Sequence, residues 1–453
     1  MAFLTEAANR GSISTGYDID NSLKFEADNS EQLYRTPSSA GNQKTWTYSV
    51  WFKRTELGAS QQLISAQDTY MYFETSDQAW LNFRSGSENF FLATTRLFRD
   101  TSAWYHAVIV CETANSTAAD RAQLWINGVR ETSYANSTYQ NLHSGISTGM
   151  NSTNVHRIGQ YSNYGSKFSG YMAEINLVDG QALDPTYFGE FNNDGIWIPK
   201  EYTGTYGTNG FYLDFADADN LGDDESGNGN DWTAGAISSV DQATDTPTNN
   251  FCTWSSLWAY ATNRTISEGS TKLTGSSQWG GCKGSIGVTN GKWYWENKAS
   301  GNDTIIGWQT DGDGNIATGN AHNVLDTIGL YQDGNYIWIK DSTSGRNDTS
   351  ASGTNASGQI IGFALDLDSS PQTATFYRNG SAIASNVNID GLTGKTLFPF
   401  ISQYNQETET NFGGYTTFSI SSGASDENGY GTFEYAPPSG YYSICTKNLA
   451  EYG

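Results

Sequence analysis

Short apolar runs that alternate residue by residue, broken about every 8–12 residues by clusters of Gly, Asn, Asp and Ser, constrain this chain more than any other feature. Successive side chains on a strand point to opposite faces, so this period marks strands with one face in a core. Trp46-Thr47-Tyr48-Ser49-Val50-Trp51-Phe52, Trp104-Tyr105-His106-Ala107-Val108-Ile109-Val110 and Ala122-Gln123-Leu124-Trp125-Ile126 all read this way. The last runs into Asn127-Gly128, a pair that accepts the positive φ values of a tight type I′ turn and predicts a hairpin. Late in the chain the arrangement returns. Ile360-Ile361-Gly362-Phe363-Ala364-Leu365 leads through an acidic turn to Thr373-Ala374-Thr375-Phe376-Tyr377-Arg378 and a second pair, Asn379-Gly380. Helix signals are nearly absent. The pattern predicts an all-β chain of two antiparallel sandwiches in tandem, with helix below about 10%. Trp104 and Trp125 are expected in the first core, each worth about 3–5 kcal/mol if fully buried.

Composition narrows the functions open to such a chain. Lys and Arg number 24 against 48 Asp and Glu, a formal net charge of −24. Nucleic-acid binders present basic faces to phosphates, and anionic membranes attract the same charge, so neither partner is expected. Aromatics at 14% and charged residues at 16% are unlike a disordered chain. No run approaches the ~20 apolar residues of a membrane span, so no membrane insertion is expected. The opening MAFLTEAANRGSIST has neither a basic n-region nor an apolar h-region, and no secretory signal is read in it. Cys111, Cys252, Cys282 and Cys445 are widely spaced without CxxC, which predicts buried free thiols; a Cys252–Cys282 bridge is the leading exception.

The expected organisation is an N-terminal docking segment over 1–20, a sandwich over 21–200, a structured connecting segment over 201–260, and a second sandwich with a closing C-terminal segment over 261–453. The docking segment is too short for a core of its own. Phe3, Leu4, Ile13 and Tyr17 are its apolar anchors, expected to seat it on a partner subunit or on another protein of the same assembly.

These residues carry a resemblance. Trp104-Tyr105-His106, Leu124-Trp125-Ile126-Asn127-Gly128 and Phe168-Ser169-Gly170-Tyr171-Met172-Ala173-Glu174-Ile175 resemble the core motifs of laminin G-like and pentraxin-like concanavalin A-like (jelly-roll) sandwiches. Gly291-Lys292-Trp293-Tyr294-Trp295-Glu296 through Asn379-Gly380 is similar to a SPRY domain. The tandem resembles structural proteins of tailed bacteriophages, particularly marine ones. So do the bridging phrases Asp179-Gly180-Gln181-Ala182-Leu183, Trp197-Ile198-Pro199-Lys200, Asp245-Thr246-Pro247-Thr248-Asn249-Asn250-Phe251 and Ala436-Pro437-Pro438-Ser439-Gly440-Tyr441. The resemblance implies a virion component, assembled with other virion proteins and as a homo-oligomer, of fibre or adhesin type; a capsid-decorating protein, or a carbohydrate-active enzyme or secreted lectin, is the alternative.

Candidate chemistry is sparse. A retaining glycosidase needs two carboxyls about 5–5.5 Å apart, hence acidic residues at i and i+2 or i+4 of one strand. Glu174 and Asp179 fall on opposite faces if one strand continues, and Asp366 and Asp368 sit at a hairpin mouth. His106 reads as a core histidine; His143, His156 and His322 lie near polar loops with no partnered nucleophile. The chain is therefore expected not to be an enzyme. Calcium needs six to eight oxygens, and the densest acidic run offers Asp217, Asp219, Asp223 and Asp224. Asp311-Gly312-Asp313-Gly314-Asn315 looks like part of an EF-type loop, but its twelfth position is His322, and an Asp-Gly turn is the plainer reading. Glycan binding needs exposed rings beside Asn, Asp or Gln. Tyr161, Asn163, Tyr164, Tyr206 and Trp279 lie in Gly/Asn/Ser-rich segments and are the candidates for a host-surface glycan or a partner chain.

Overall fold

The computed structural model describes residues 16–85, 88–137, 144–161, 165–258, 264–299, 301, 303–310, 326–333, 335–341, 345–353 and 356–453. The protein is all-β, 44% strand and 5% helix. It divides into two compact units, Ser14–Thr248 and Asn249–Gly453. Both Asn-Gly pairs adopt the left-handed backbone that a type I′ turn demands, with φ of 49° and 74° at Asn127-Gly128 and 46° and 74° at Asn379-Gly380.

The first unit is built on two eight-stranded sheets. Sheet one runs, neighbour to neighbour, Val129–Arg130, Ala122–Ile126, Tyr105–Glu112, Thr45–Arg54, Gly170–Asp179, Ser22–Phe25 and Gln242–Ala243, with Phe211–Leu213 also pairing to Gly170–Asp179. Sheet two runs Tyr134–Ser137, Glu88–Leu97, Gln78–Ser85, Thr69–Phe73, Gln61–Ala66, His156–Ile158, Gln32–Arg35 and Thr233–Gly235. Period-2 alternation fills the core between them: Trp46, Tyr48, Val50 and Phe52 from sheet one meet Met71, Phe73, Leu81 and Phe83 from sheet two. Sheet one is buried on its other side as well. Trp51, Ala173, Ile19 and Trp197 cluster there, and Val108, Val110, Val178 and Phe188 form a second cluster.

Trp104 and Trp125 depart from the sequence expectation: both are half-buried in these outer clusters. Ala122, Leu124 and Ile126 take the core side of their strand, so alternation turns Trp125 outward. Trp104 precedes its strand and donates Nε1–H to Asp245 at 3.0 Å. Within 201–260, the strands Phe211–Leu213, Thr233–Gly235 and Gln242–Ala243 all extend the first unit's sheets. Residues 16–20 pack on their own sandwich: Ile19 is buried beside Trp51, and the Tyr17 hydroxyl donates to Glu174 at 2.9 Å. Phe3, Leu4 and Ile13 lie outside the described residues.

In the second unit, an eight-stranded sheet centres on Lys292–Ala299 and Ile360–Asp366, and a six-stranded one on Leu397–Gln403 and Thr304–Thr310. The C-terminal stretch Tyr442–Ser443 pairs in parallel with Lys292–Ala299, and the α-helix Thr446–Tyr452 follows. All four cysteines are free and buried, Cys252 and Cys282 included. Among the described residues no helix is long and apolar enough to cross a membrane.

Candidate functional site

Alternation that fills the core of sheet two also decides what its other face presents. In Thr69–Phe73, Met71 and Phe73 point inward, which leaves Tyr70 and Tyr72 half-buried on the outer face. In Gln78–Ser85, Leu81 and Phe83 point inward and Trp80 and Asn82 outward. Strand register then aligns Thr233, Tyr34, Arg157, Ser65, Tyr70, Asn82 and Phe91 as one row across seven strands. The rings touch in series. Tyr161 lies 4.9 Å from Tyr70, Tyr70 5.6 Å from Tyr72, Tyr72 6.0 Å from Trp80, and Trp80 stacks on Phe91 at 5.5 Å. Asn82 donates Nδ2–H to the Tyr70 hydroxyl at 3.0 Å.

At the Tyr161 end of this face lies a pocket of about 330 Å³, lined by Ser65, Gln67, Asp68, Asn154, Arg157 and Tyr161 among others. Asn154 reaches Gln67 Oε1 at 2.8 Å, and its carbonyl accepts from His156 Nδ1 at 2.8 Å. His156 Nε2 in turn accepts the Asn151 N–H at 3.0 Å, so the ring is a fixed neutral tautomer. Burial pulls it down to about 4. The result is one ring beside a cation, an anion and amides.

The other sequence candidates do not join this site. Asn163 and Tyr164 lie outside the described residues. Tyr206 sits on sheet one, donating to Asn176 Oδ1 at 2.8 Å beside Tyr202 and Tyr212. Trp279 belongs to the second unit, where it packs with Tyr331 and Tyr404 over Ile305 and Phe400. In the acidic run, Asp217 accepts the Asp219 N–H at 2.9 Å. Asp224 is buried and accepts three amides, from Tyr212, Ser226 and Asn230, at 2.9, 3.0 and 2.7 Å. Calcium would thus have the exposed Asp217 and Asp219 and the half-exposed Asp223 to draw on. Among the described residues no three His, Cys, Asp or Glu side chains gather as a metal site. Asp311–Asn315, His143 and His322 lie outside the described residues.

Carboxylates that could do acid–base chemistry are engaged in structure. Glu174 occupies a bulge with φ of 52°, which breaks the alternation between it and Asp179. It accepts from the Tyr17 and Tyr212 hydroxyls, and burial pushes it up to about 7. Asp179 accepts the amides of Asn42 and Asn209 and the Asn151 side chain, at 2.7, 3.0 and 3.0 Å. Burial alone would raise Asp366, yet Lys292 and Ser369 hold it below the usual carboxylate range. His106 is buried, stacked on Trp51 at 4.6 Å; its Nδ1 accepts from Trp197 at 3.0 Å and its Nε2–H faces Ser49 at 2.7 Å.

Residues 20–186 match the family model described as the concanavalin A-like lectin/glucanases superfamily, a laminin G model. No curated protein matches the chain. Among solved structures, the SPRY domain of human HERC1 is similar at 18% identity and a TM-score of 0.29, covering 35% of this chain and 96% of that one. A putative carbohydrate binding protein from Bacteroides ovatus is similar at 12% identity and a TM-score of 0.36, covering 49% of this chain and 60% of that one. A heptameric SAP-like pentraxin from Limulus polyphemus is similar at 18% identity and a TM-score of 0.27, covering 37% and 80%. Residues 20–186 thus carry a concanavalin A-like, laminin G-like sandwich, and the second unit is a further two-sheet β-structure.

Proposed function

We propose that this chain is a non-enzymatic structural protein of a tailed-phage virion, of the fibre or adhesin kind, that meets a host-surface glycan through the outer face of sheet two. The half-buried rings beside the Asp68–Arg157 pocket carry the reading: aromatic side chains left outside a core, next to convergent polar groups, are a binding surface. The virion context rests on the tandem and bridging motifs that resemble phage structural proteins. Carboxylates tied into loops and bulges favour a binding role over hydrolysis. Any calcium would be an accessory of the 217–224 loop. Other virion proteins and further copies of the chain are the assembly partners. A capsid-decorating role is the second reading. Val129, Tyr187 and Phe191, each about half exposed, give sheet one's side an apolar patch suited to a protein partner.

Two measurements test the proposal. Antibody-gold labelling should place the protein on intact particles; its absence from purified particles would sink the virion assignment. Glycan-array binding by the purified chain should be lost in Tyr161→Ala with the melting temperature kept. An array without any signal for the native chain would remove the glycan.

A further inference from the structure

We infer that the outer face of sheet two binds a neutral, linear oligosaccharide laid across the strands, with the Asp68–Arg157 pocket holding one end of it. The inference rests on the glycan reading above and adds the ligand's shape, length and charge. Shape comes from register. The row Tyr34, Arg157, Ser65, Tyr70, Asn82, Phe91 steps from strand to strand at ~4.8 Å, a spacing of the same order as one pyranose unit. The row also mixes aromatic and polar side chains, so a chain of sugars crossing it meets ring faces and hydrogen-bonding groups in turn.

Length comes from the continuity of the rings. Tyr161, Tyr70, Tyr72, Trp80 and Phe91 form an unbroken series from the pocket to the far strand. A single sugar fills the pocket and leaves Trp80 and Phe91 untouched; several linked units reach them. Charge comes from the pocket, where Arg157 stands with Asp68, and from the chain's net charge of −24, which repels polyanions.

Calorimetric titration of the full chain with linear β-glucan and mannan oligosaccharides of two to six units tests this. For at least one series, affinity should rise tenfold or more from two units to five. Trp80→Ala and, separately, Phe91→Ala should abolish that rise while leaving two-unit binding within about twofold. Tyr161→Ala should weaken every length. Melting curves identify any variant that has lost its fold, and the two far-end variants back each other in that case. Affinity independent of length, or unchanged in both far-end variants, overturns the inference and leaves the pocket reading standing. Binding only to acidic polysaccharides also overturns it. No binding to any glycan of any length refutes the underlying glycan reading itself.

Discussion

Tryptophan is buried more deeply in the second sandwich than in the first. Among the described residues Trp254, Trp293, Trp295 and Trp308 are fully buried in the second unit; in the first Trp46 is, and Trp51 and Trp232 keep 4% and 3% of their surface exposed. Three of the five fully buried indoles are anchored: Trp46 donates to Thr148 at 2.9 Å, Trp254 to Thr410 at 3.0 Å and Trp293 to the Asn290 carbonyl at 2.6 Å. In the first unit Trp80, Trp104 and Trp125 are half-buried instead. Buried charge differs in parallel. The first sandwich pairs it, Lys53 with Asp245 at 2.7 Å, Lys24 with Glu31 and Asp241 at 3.0 and 2.9 Å, and Arg54 with Asp77 at 3.2 Å. The second buries Glu296 against the amides of Glu434 and Tyr435, at 2.9 and 2.8 Å, and the Tyr294 hydroxyl. An aromatic surplus held at the surface suits recognition, and the same surplus held inside suits rigidity.

Breaking the buried pairs should have the largest effect. Asp245→Ala strands the Lys53 ammonium and the Trp104 N–H, and should cost the first sandwich about 3–5 kcal/mol in urea unfolding. Lys53→Met with Asp245→Leu should recover much of that loss; a double mutant no better than the single would mean that the charges do not oppose each other across this contact. Trp295→Ala should destabilise the second sandwich by about 3–5 kcal/mol.

Acidity should separate the sandwiches next. Burial pushes Glu296 up to about 7, so the native state keeps its proton after the unfolded chain has released it. Stability of the second sandwich should therefore fall as pH rises from about 4.5 to about 7, by at most on the order of 3 kcal/mol, and level off above. Glu296→Gln should flatten that profile. In the first sandwich, Glu174 and Glu31, raised by burial to about 7, act in the same direction. His106 and His156, lowered by burial to about 3 and about 4, act in the opposite one, because the unfolded chain takes up their protons first as pH falls. Its profile should be flatter. Equal slopes for the two calorimetric transitions would contradict this contrast.

Trp125→Ala should cost only about 1–2 kcal/mol, since its ring lies in the outer cluster and is partly in water. Tyr161→Ala should change stability least, by less than about 0.5 kcal/mol. A loss above 2 kcal/mol there would make the ring a structural element of sheet two.

Fold was legible because its signals are local. Alternation and Asn-Gly turns depend on a few consecutive residues, and Asn127-Gly128 and Asn379-Gly380 turn as read. The site was less legible because it depends on register. Tyr70, Tyr72, Trp80 and Phe91 lie inside strands, and only pairing between strands brings them into one series. Tyr161 was a candidate from sequence because it stands in a loop. Applying alternation to Tyr70-Met71-Tyr72-Phe73 and Trp80-Leu81-Asn82-Phe83 would have turned Tyr70, Tyr72 and Trp80 outward. Trp125 was misjudged on the same ground, since Leu124 and Ile126 had already claimed the inner face. The bulge at Glu174 has no sequence signal that alternation could reveal.

Asp245 carries a consequence for how the protein is made. Its side chain holds Lys53 and Trp104, its carbonyl accepts the Ser22 hydroxyl at 2.6 Å, and Lys53 lies 192 residues earlier in the chain. At ~5–20 residues per second, a ribosome that has finished Lys53 needs on the order of 10–40 s to supply its counter-charge. Through that interval the later strands of sheet one, from Tyr105–Glu112 to Gln242–Ala243, are still being made, and the apolar sides of both sheets are incompletely covered. Such long-range closure is slow by its topology. Production of this protein should therefore depend on chaperone supply, and more strongly as growth temperature rises and intermediates aggregate faster.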